Sequence, residues 1–367
     1  MMRSRRLVGV ALIAACAMIA VACGDDDDTQ TAGTTTTAGD ATTTTAAASE
    51  PSGEPSEVRL SYNPDPTIQW MKGKDMIKPF EDEYNVKFVE TETFDPGPAF
   101  LSDRADIISV GTFEIAAIEQ ETGLKTVTFG RAGDNPYLIL VKADNPATTL
   151  ADLQGKKIGS RQGGSGPLTV AVMAQALHGL EYKAEGGEGG DFETVLVDDH
   201  LINIDLLRRG DVDAIASAHT IAAPWLRTGE FKALYDGRMA YEVMTDEVGE
   251  GKAIGFGQNN LVAREDWFDS HPNEVQFLLA LYDEAATLWN ENKPEIIRQF
   301  PQEFNIENDE DAAYVIDILE ERDFTPDTAY LDEDYVAGER KILDIMGEVG
   351  ILDPDAEQPR IEIVEPA

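Results

Sequence analysis

The sequence predicts an α/β protein wound from alternating strands and helices, long enough for two lobes. Three observations predict it. From Val58 onward, short apolar runs alternate with amphipathic stretches, the pattern of strands and helices taken in turn. The 367 residues exceed what one compact core usually organises. Hydrophobic residues make up 42% of the chain, enough for real cores despite a formal net charge of -40.

The first element is an address. Arg3, Arg5 and Arg6 form a positive start, and Leu7 to Ala22 supply sixteen small or apolar residues, short of the roughly 20 that span a bilayer. The run ends in Ala20-Val21-Ala22-Cys23, which looks like a lipobox whose cysteine is acylated and becomes the first mature residue. Residues 1–23 are therefore expected to be a lipoprotein signal peptide, with Cys23 the lipidation site. Residues 24–57 contain no Lys, Arg or aromatic residue. Nothing there can bury enough surface to offset ordering entropy, so a disordered tether is expected, reaching on the order of 30 Å. The expected location is outside the cytoplasmic membrane, held to it by lipid.

The strands come next. Alternating or continuous apolar runs predict strands at Val58–Tyr62, Val86–Thr91, Asp106–Val110, Thr126–Phe129, Tyr137–Val141, Lys157–Ser160, Thr194–Val197, Ala214–Ser217, Lys232–Tyr235 and Asn260–Val262. Helical periodicity predicts helices at Ile68–Glu83, Pro167–Leu180, Leu201–Arg209, Asn273–Asn290, Asp309–Glu321 and Asp334–Val349. In the fourth, Val275, Leu278, Leu279, Tyr282, Ala285, Ala286 and Trp289 form one stripe, read first as core packing. The glycine-rich run Gly186 to Gly190 reads as a surface loop, since no helix start follows it directly.

Five strands run into a polar stub and then a helix start. The stubs are Tyr62 to Thr67, Gly111-Thr112-Phe113, Arg161 to Pro167, Asp198-Asp199-His200 and Ala218-His219-Thr220. Open parallel sheets bind ligands outside the carboxyl ends of their strands, where helix N-termini present free amide donors.

Several function classes are excluded. With 29 Lys plus Arg against 69 Asp plus Glu, nucleic-acid binding through a basic surface is ruled out. The only cysteines are Cys16 and Cys23, so the folded body has no disulfide and no cysteine-based metal site. No Gly-x-Ser-x-Gly elbow is present, because Gly163-x-Ser165 continues into Gly166-Pro167. His178, His200, His219 and His271 show no metalloprotease spacing. Asn305 to Asp311 lacks the central glycine of a calcium loop. Neither an enzyme nor a bound cofactor is expected.

The run Thr149 to Gly159 (TLADLQGKKIG) resembles the second-lobe opening of type 2 periplasmic solute-binding proteins. Leu206 to Ala214 (LLRRGDVDA) is similar to their segment entering a strand at the cleft, and Ala105 to Gly111 (ADIISVG) to their first-lobe turn. The nearest likeness is to the nitrate/sulfonate/taurine-type branch, which includes binders of thiamine-pyrimidine precursors. The resemblance implies the type 2 periplasmic binding protein fold: two wound α/β lobes joined by two crossing segments, with a ligand cleft between. It assigns 58–147 to lobe 1, 148–254 to lobe 2 and 255–367 to the return into lobe 1 with C-terminal helices. The crossings are then expected near Lys142–Asn145 and Gly255–Asn259. The implied function is capture of a small organic solute, sulfonate-, taurine- or nitrate-like, by a monomer that delivers it to an ABC permease and ATPase. Import of a heterocyclic vitamin precursor, a thiamine pyrimidine or flavin, is one alternative. A ligand sensor docking on a membrane receptor is another. Fungal thiamine-pyrimidine synthases share the fold but carry a cysteine-rich motif that this body lacks.

A cleft between such lobes would be lined from strand ends. Lobe 1 is expected to supply Tyr62, Asp65, Thr67, Trp70, Gly111, Thr112 and Phe113, with Tyr137 near the crossing. Lobe 2 would supply Arg161, Gln162, Ser165, Gly166, Asp199 and His219, and the second crossing Asn259. Hydroxyls and amides at Thr112 and Ser165 suit an anionic head group, and Arg161 a bidentate fork. Trp70, Phe113 and Tyr137 could sandwich an apolar or planar part; the competing reading of each is core packing. Residues 1–23 hold three of the arginines and residues 24–57 eight carboxylates, leaving 61 acids against 26 bases in the body. The acidity therefore belongs to the folded surface. That favours a zwitterion or heterocycle over a bare inorganic anion, and a saline setting that screens self-repulsion.

Overall fold

A computed structural model describes residues 53–367, except 94, 163–164, 188, 250–251 and 253–255. The expected signal peptide with Cys23, nearly all of the expected tether and part of the expected second crossing lie outside the described residues.

The chain begins with β1 (Ser56–Tyr62), α1 (Pro66–Gly73), α2 (Lys78–Tyr84), β2 (Val86–Glu92), α3 (Gly97–Leu101), β3 (Ile107–Val110), α4 (Thr112–Thr122) and β4 (Thr126–Asp134). It continues with β5 (Tyr137–Lys142), a 3-10 turn at Leu150–Leu153, β6 (Lys157–Arg161), α5 (Ser165–His178), β7 (Glu193–Val197), α6 (His200–Arg209), β8 (Ala214–Ala218), α7 (His219–Arg227), β9 (Phe231–Ala233) and α8 (Ala240–Glu247). It returns through β10 (Gly257–Arg264) and closes with α9 (Glu265–Ser270), α10 (Pro272–Gln299), α11 (Asp309–Glu321), α12 (Glu333–Glu348) and β11 (Arg360–Ile361).

Two mixed sheets result. The first has the order β11-β4-β10-β3-β1-β2 and the second β7-β6-β8-β5-β9. Each is mainly a set of parallel βα units with one antiparallel strand inside it: β10 beside β3 and β4, and β5 beside β8 and β9. This is the two-lobed α/β fold. Val58, Leu60 and Tyr62 of β1 pack with Phe129 of β4 and Leu278 of α10 in the first core. Helices α4 and α12 bring Phe113, Ala116, Ile342 and Met346 into the core of the second sheet, which ties the lobes together.

The first crossing differs from expectation. Tyr137 already pairs with Ala218, and Val141 with Lys232, so β5 belongs wholly to the second sheet. The chain crosses at Asn135–Pro136, and Lys142–Asn145 lies inside the second lobe, where Ala143 N–H donates to Glu230 O. Polar turn residues marked a loop at 142–145; strand pairing decided that the loop is not a hinge. Asn135 is completely buried and donates to Thr169 Oγ1 at 2.8 Å, which anchors the crossing to α5.

Two helices also differ. The expected helix Ile68–Glu83 breaks in two. Asp75 takes a left-handed φ of 56°, and Pro79 lacks the N–H and would clash with the carbonyl four residues back, so it sits in the first turn of a new helix, α2. Helix α10 runs on to Gln299 through Pro294. Strand β4 continues past Phe129 because β10 pairs with it as far as Asp134, across register shifts.

Candidate functional site

A cavity of about 300 Å³ lies where the carboxyl ends of β1 and β3 of the first sheet meet those of β6 and β8 of the second. This is the location expected for an open α/β sheet.

The β1–α1 loop contributes Tyr62, Asn63, Asp65 and Thr67. Asp65 caps α1, accepting from Thr67 N–H at 2.8 Å and Ile68 N–H at 3.2 Å. Burial nonetheless raises its pKa. The Tyr62 hydroxyl donates to Glu90 Oε2 at 2.6 Å, with Glu92 Oε1 3.0 Å away. Asn63 Nδ2 reaches Asn259 Oδ1 at 2.9 Å and joins this loop to the second crossing. Arg131 near the end of β4 also lines the cavity, its guanidinium 5.0 Å over the Tyr335 ring.

Glu114 of α4 faces the second lobe. Its carboxylate accepts Gly111 N–H at 3.0 Å and a hydrogen bond from Ser165 at the start of α5. Burial outweighs both bonds and pushes its pKa up to about 7. On the second-lobe side stand Tyr137, Arg161, Ser165, His200, Ala218 and Thr220. Burial, and then the Arg161 charge, lower His200 to about 4, so the imidazole is neutral at pH 7. Arg161 forms no ion pair or side-chain hydrogen bond among the described residues. The remaining wall is Tyr282, Ala285, Ala286 and Trp289 of α10, Glu303, Phe304, and Phe324 to Pro326.

Of the residues expected from sequence, Tyr62, Asp65, Thr67, Tyr137, Arg161, Ser165 and Asn259 line this cavity. The other eight do not. Trp70 is 4% exposed, with its indole N–H on Glu295 at 3.2 Å and the Lys74 ammonium over its ring. Phe113 is fully buried against Phe256, ring centroids 5.2 Å apart. Thr112 is equally buried and accepts from Asn260 Nδ2 at 2.8 Å. Gly111 packs so closely that a Cβ there would sit 2.8 Å from Gly257 O. Gly166 lies behind the wall, where a Cβ would fall 2.5 Å from Ser160 Oγ and 2.9 Å from Tyr137 Cε1. Gln162 is exposed and bonded to Asp198. Asp199 caps α6 through Leu201 N–H at 2.7 Å. His219 is 3% exposed, and burial with the nearby Arg322 charge holds it at about 4.

Sequence reasoning missed Glu114, Arg131, His200, Glu303, Phe304 and Phe324. It ranked the α10 stripe as core, and the stripe is both: Tyr282 and Trp289 are 4% and 3% exposed yet border the cavity.

Comparison with known proteins agrees with this architecture. A family model described as "ABC transporter, phosphonate, periplasmic substrate-binding protein" matches residues 97–285, just over half of the chain. The chain belongs to this family. It is the periplasmic substrate-binding component of an ABC importer, a solute receptor and not an enzyme. No curated protein matches the chain.

Solved structures share the receptor's fold at low identity. The periplasmic aliphatic sulphonate binding protein SsuA from Escherichia coli is 18% identical, with a TM-score of 0.64 over 85% of this chain and 93% of that one. The alkanesulfonate-binding SsuA from Xanthomonas axonopodis pv. citri, bound to MOPS, is 16% identical, with a TM-score of 0.62 over 82% and 96%. The Candida albicans CA3427 product, described as having the generic periplasmic binding protein fold, is 13% identical, with a TM-score of 0.56 over 84% and 98%. Among the described residues of the receptor, no helix is long and apolar enough to cross a membrane.

Proposed function

We propose that the receptor captures an organic anion of the sulfonate or phosphonate class and presents it to its permease. One observation carries this reading. In a body with 61 acidic against 26 basic residues, Arg161 lines the cavity with no carboxylate partner among the described residues. An arginine left unpaired amid such an excess of acids is available to a ligand's oxyanion, for which its planar fork is suited. Ser165, at the first turn of α5, brings the positive end of a helix beside it. Neutral His200 puts no second charge next to Arg161. The apolar wall of Ala285, Ala286, Phe304 and Phe324 suits an organic body better than a bare inorganic ion.

Cys23 in its lipobox-like setting supports a lipid anchor, with residues 24–57 as the tether. Cys23→Ser should move the protein from the membrane fraction to the soluble one. Titration calorimetry with alkanesulfonates and alkylphosphonates tests the ligand class. Binding that Arg161→Ala weakens by roughly 30-fold or more supports it; tighter binding of uncharged heterocycles than of either anion would replace it with the vitamin-precursor reading.

A further inference from the structure

The second crossing is held from outside the cavity. Gln258 and Asn259 line the cavity, and the residues on either side of them are fastened to α12 and α4. Gly257 N–H donates to Glu339 Oε1 at 2.8 Å. Asn260 accepts the Tyr335 hydroxyl on Oδ1 at 2.7 Å and donates to Thr112 Oγ1 at 2.8 Å. Tyr335 and Glu339 lie one turn apart on α12, so a single helix face makes both contacts. The fit is tight: a Cβ at Gly257 would strike the Tyr335 hydroxyl. Phe256, just before it, is completely buried and takes a left-handed φ of 45°, which a bulky residue keeps only where its surroundings enforce it.

Glu339 is itself completely buried, and its Oε2 has no hydrogen-bond partner among the described residues. No cation pairs with it there. Arg131 lies over the Tyr335 ring and donates to Thr328 O, Arg340 is directed to Gln358 and Pro359 O, and Lys341 to Val248 O. Of the neighbouring carboxyls, Glu114 is turned to Gly111 and Ser165. Asp134, paired with Gly257 across the sheet, disfavours charge on Glu339. Burial is the main cause that pushes Glu339 up to about 7, and the Gly257 N–H offsets it only in part.

We propose that Glu339 is a proton-dependent positioning residue for solute capture: uncharged, it pins the second crossing so that Gln258 and Asn259 face the cavity, and ionised, it lets that strand loosen. A neutral carboxyl accepts the Gly257 N–H without burying a charge. Its anion is a buried charge near Asp134 with no counter-ion, which is far harder to accommodate. Relief comes from admitting water at the turn already held in a strained conformation, Phe256–Gly257. Asn259 also bonds Asn63 of the β1–α1 loop at 2.9 Å, so a loosened crossing disturbs the first-lobe wall as well. The sign follows from the raised folded value: the pinned state is complete in mild acid and is lost as pH rises through about 7. This role is independent of which solute fills the cavity.

The test compares the full-length protein with Glu339→Gln, which keeps the shape and the acceptor for Gly257 but cannot ionise. Hydrogen exchange read by mass spectrometry follows residues 256–262 without solute at about pH 6 and about pH 8.5. Dividing the wild-type rate by the variant's at the same pH removes the intrinsic pH dependence of exchange and the titration of Glu114 and Asp134, which both proteins share. That ratio should be near one in mild acid and about fivefold or more at the higher pH; a ratio unchanged by pH overturns the proposal. If Glu339→Gln does not fold, the wild-type rate of 256–262 is divided by that of β8, with the same two outcomes. Calorimetry with propane-1-sulfonate, whose charge is constant over this range, should show the wild type losing about fivefold or more affinity relative to the variant at the higher pH. A rising exchange ratio with no relative loss of affinity overturns the positioning role. Should propane-1-sulfonate bind neither protein, the anion reading fails by itself, while a rising exchange ratio still upholds the pinned crossing and a flat one overturns it.

Discussion

The two sides of the cavity solve opposite problems. The second-lobe side offers one permanent charge, Arg161, with hydroxyls from Ser165 and Thr220, a neutral imidazole and the small Ala218. The first-lobe side, with α10 and the segment after it, offers mainly carboxylates and rings, Asp65, Glu303, Tyr62, Tyr282, Trp289 and Phe304, beside the single cation Arg131, which is stacked on Tyr335. One side resembles the chain's overall composition and the other reverses it. The reversal teaches that the sign of charge a solute meets is set within a few ångströms, since a Debye length of about 8 Å screens the rest of the surface. Glu114 stands where the two sides meet, on α4 but bonded to Ser165 of α5.

The contrast can be broken most directly at Arg161. Arg161→Ala should weaken binding of a sulfonate or phosphonate by roughly 30-fold or more, about 2 kcal/mol, with the melting temperature unchanged. Calorimetry and a melting curve together check this, and undiminished affinity would move the anion elsewhere. At the junction, Glu114 makes stability depend on pH. A carboxyl held at about 7 against 4.5 when unfolded keeps its proton in the folded state. Its contribution is therefore complete below about 4.5 and is lost as pH rises through about 7. Glu114→Gln should remove that dependence, gaining ~1–3 kcal/mol on the wild type at pH 8 relative to pH 4.5. Parallel unfolding curves for the two proteins across this range would show that the carboxyl is not held protonated.

A third change sharpens the packing behind Arg161's side. Gly166→Ala places a methyl against Ser160 and Tyr137 and should cost ~1–3 kcal/mol in urea unfolding, as overpacking does. The smallest effect concerns the shared background. If acidic self-repulsion opposes folding, the melting temperature should rise by a few degrees between about 0.05 and about 1 M NaCl. A flat or falling response would separate the surface charge from stability.

Much of the fold was legible because its signals are local. Helices α1 and α6 start where the polar stubs end, capped by Asp65 and Asp199, and the strand ends are where the cavity lies. Several site residues were missed by one position. Phe113 was expected and Glu114 faces the cavity; Asp199 was expected and His200 lines it; His219 was expected and Thr220 lines it. Each pair lies at the cap or in the first turn of a helix, where successive side chains are turned by about 100°. A stub can thus be located from sequence while the side chain that points inward depends on how the helix lies against its sheet. The α10 stripe carried no distinguishing mark, because a core and a cavity wall impose the same helical period.

Glu303, Phe304 and Phe324 had no motif at all, since they follow α10 and α11 in irregular segments. They reach the site because those helices return the chain to it, across more than 200 residues from Tyr62. Composition, periodicity and capping by themselves determined an acidic α/β body with helix starts at strand ends. Tertiary packing decided the rest: that the chain crosses at Asn135–Pro136, that Arg161 has no ion-pair partner among the described residues, and that carboxylates and rings remote in sequence line one cavity. The division is physical. Local patterns record hydrogen bonding and burial over a few residues, whereas a binding site is a convergence of distant segments that only the packed sheets and helices bring together.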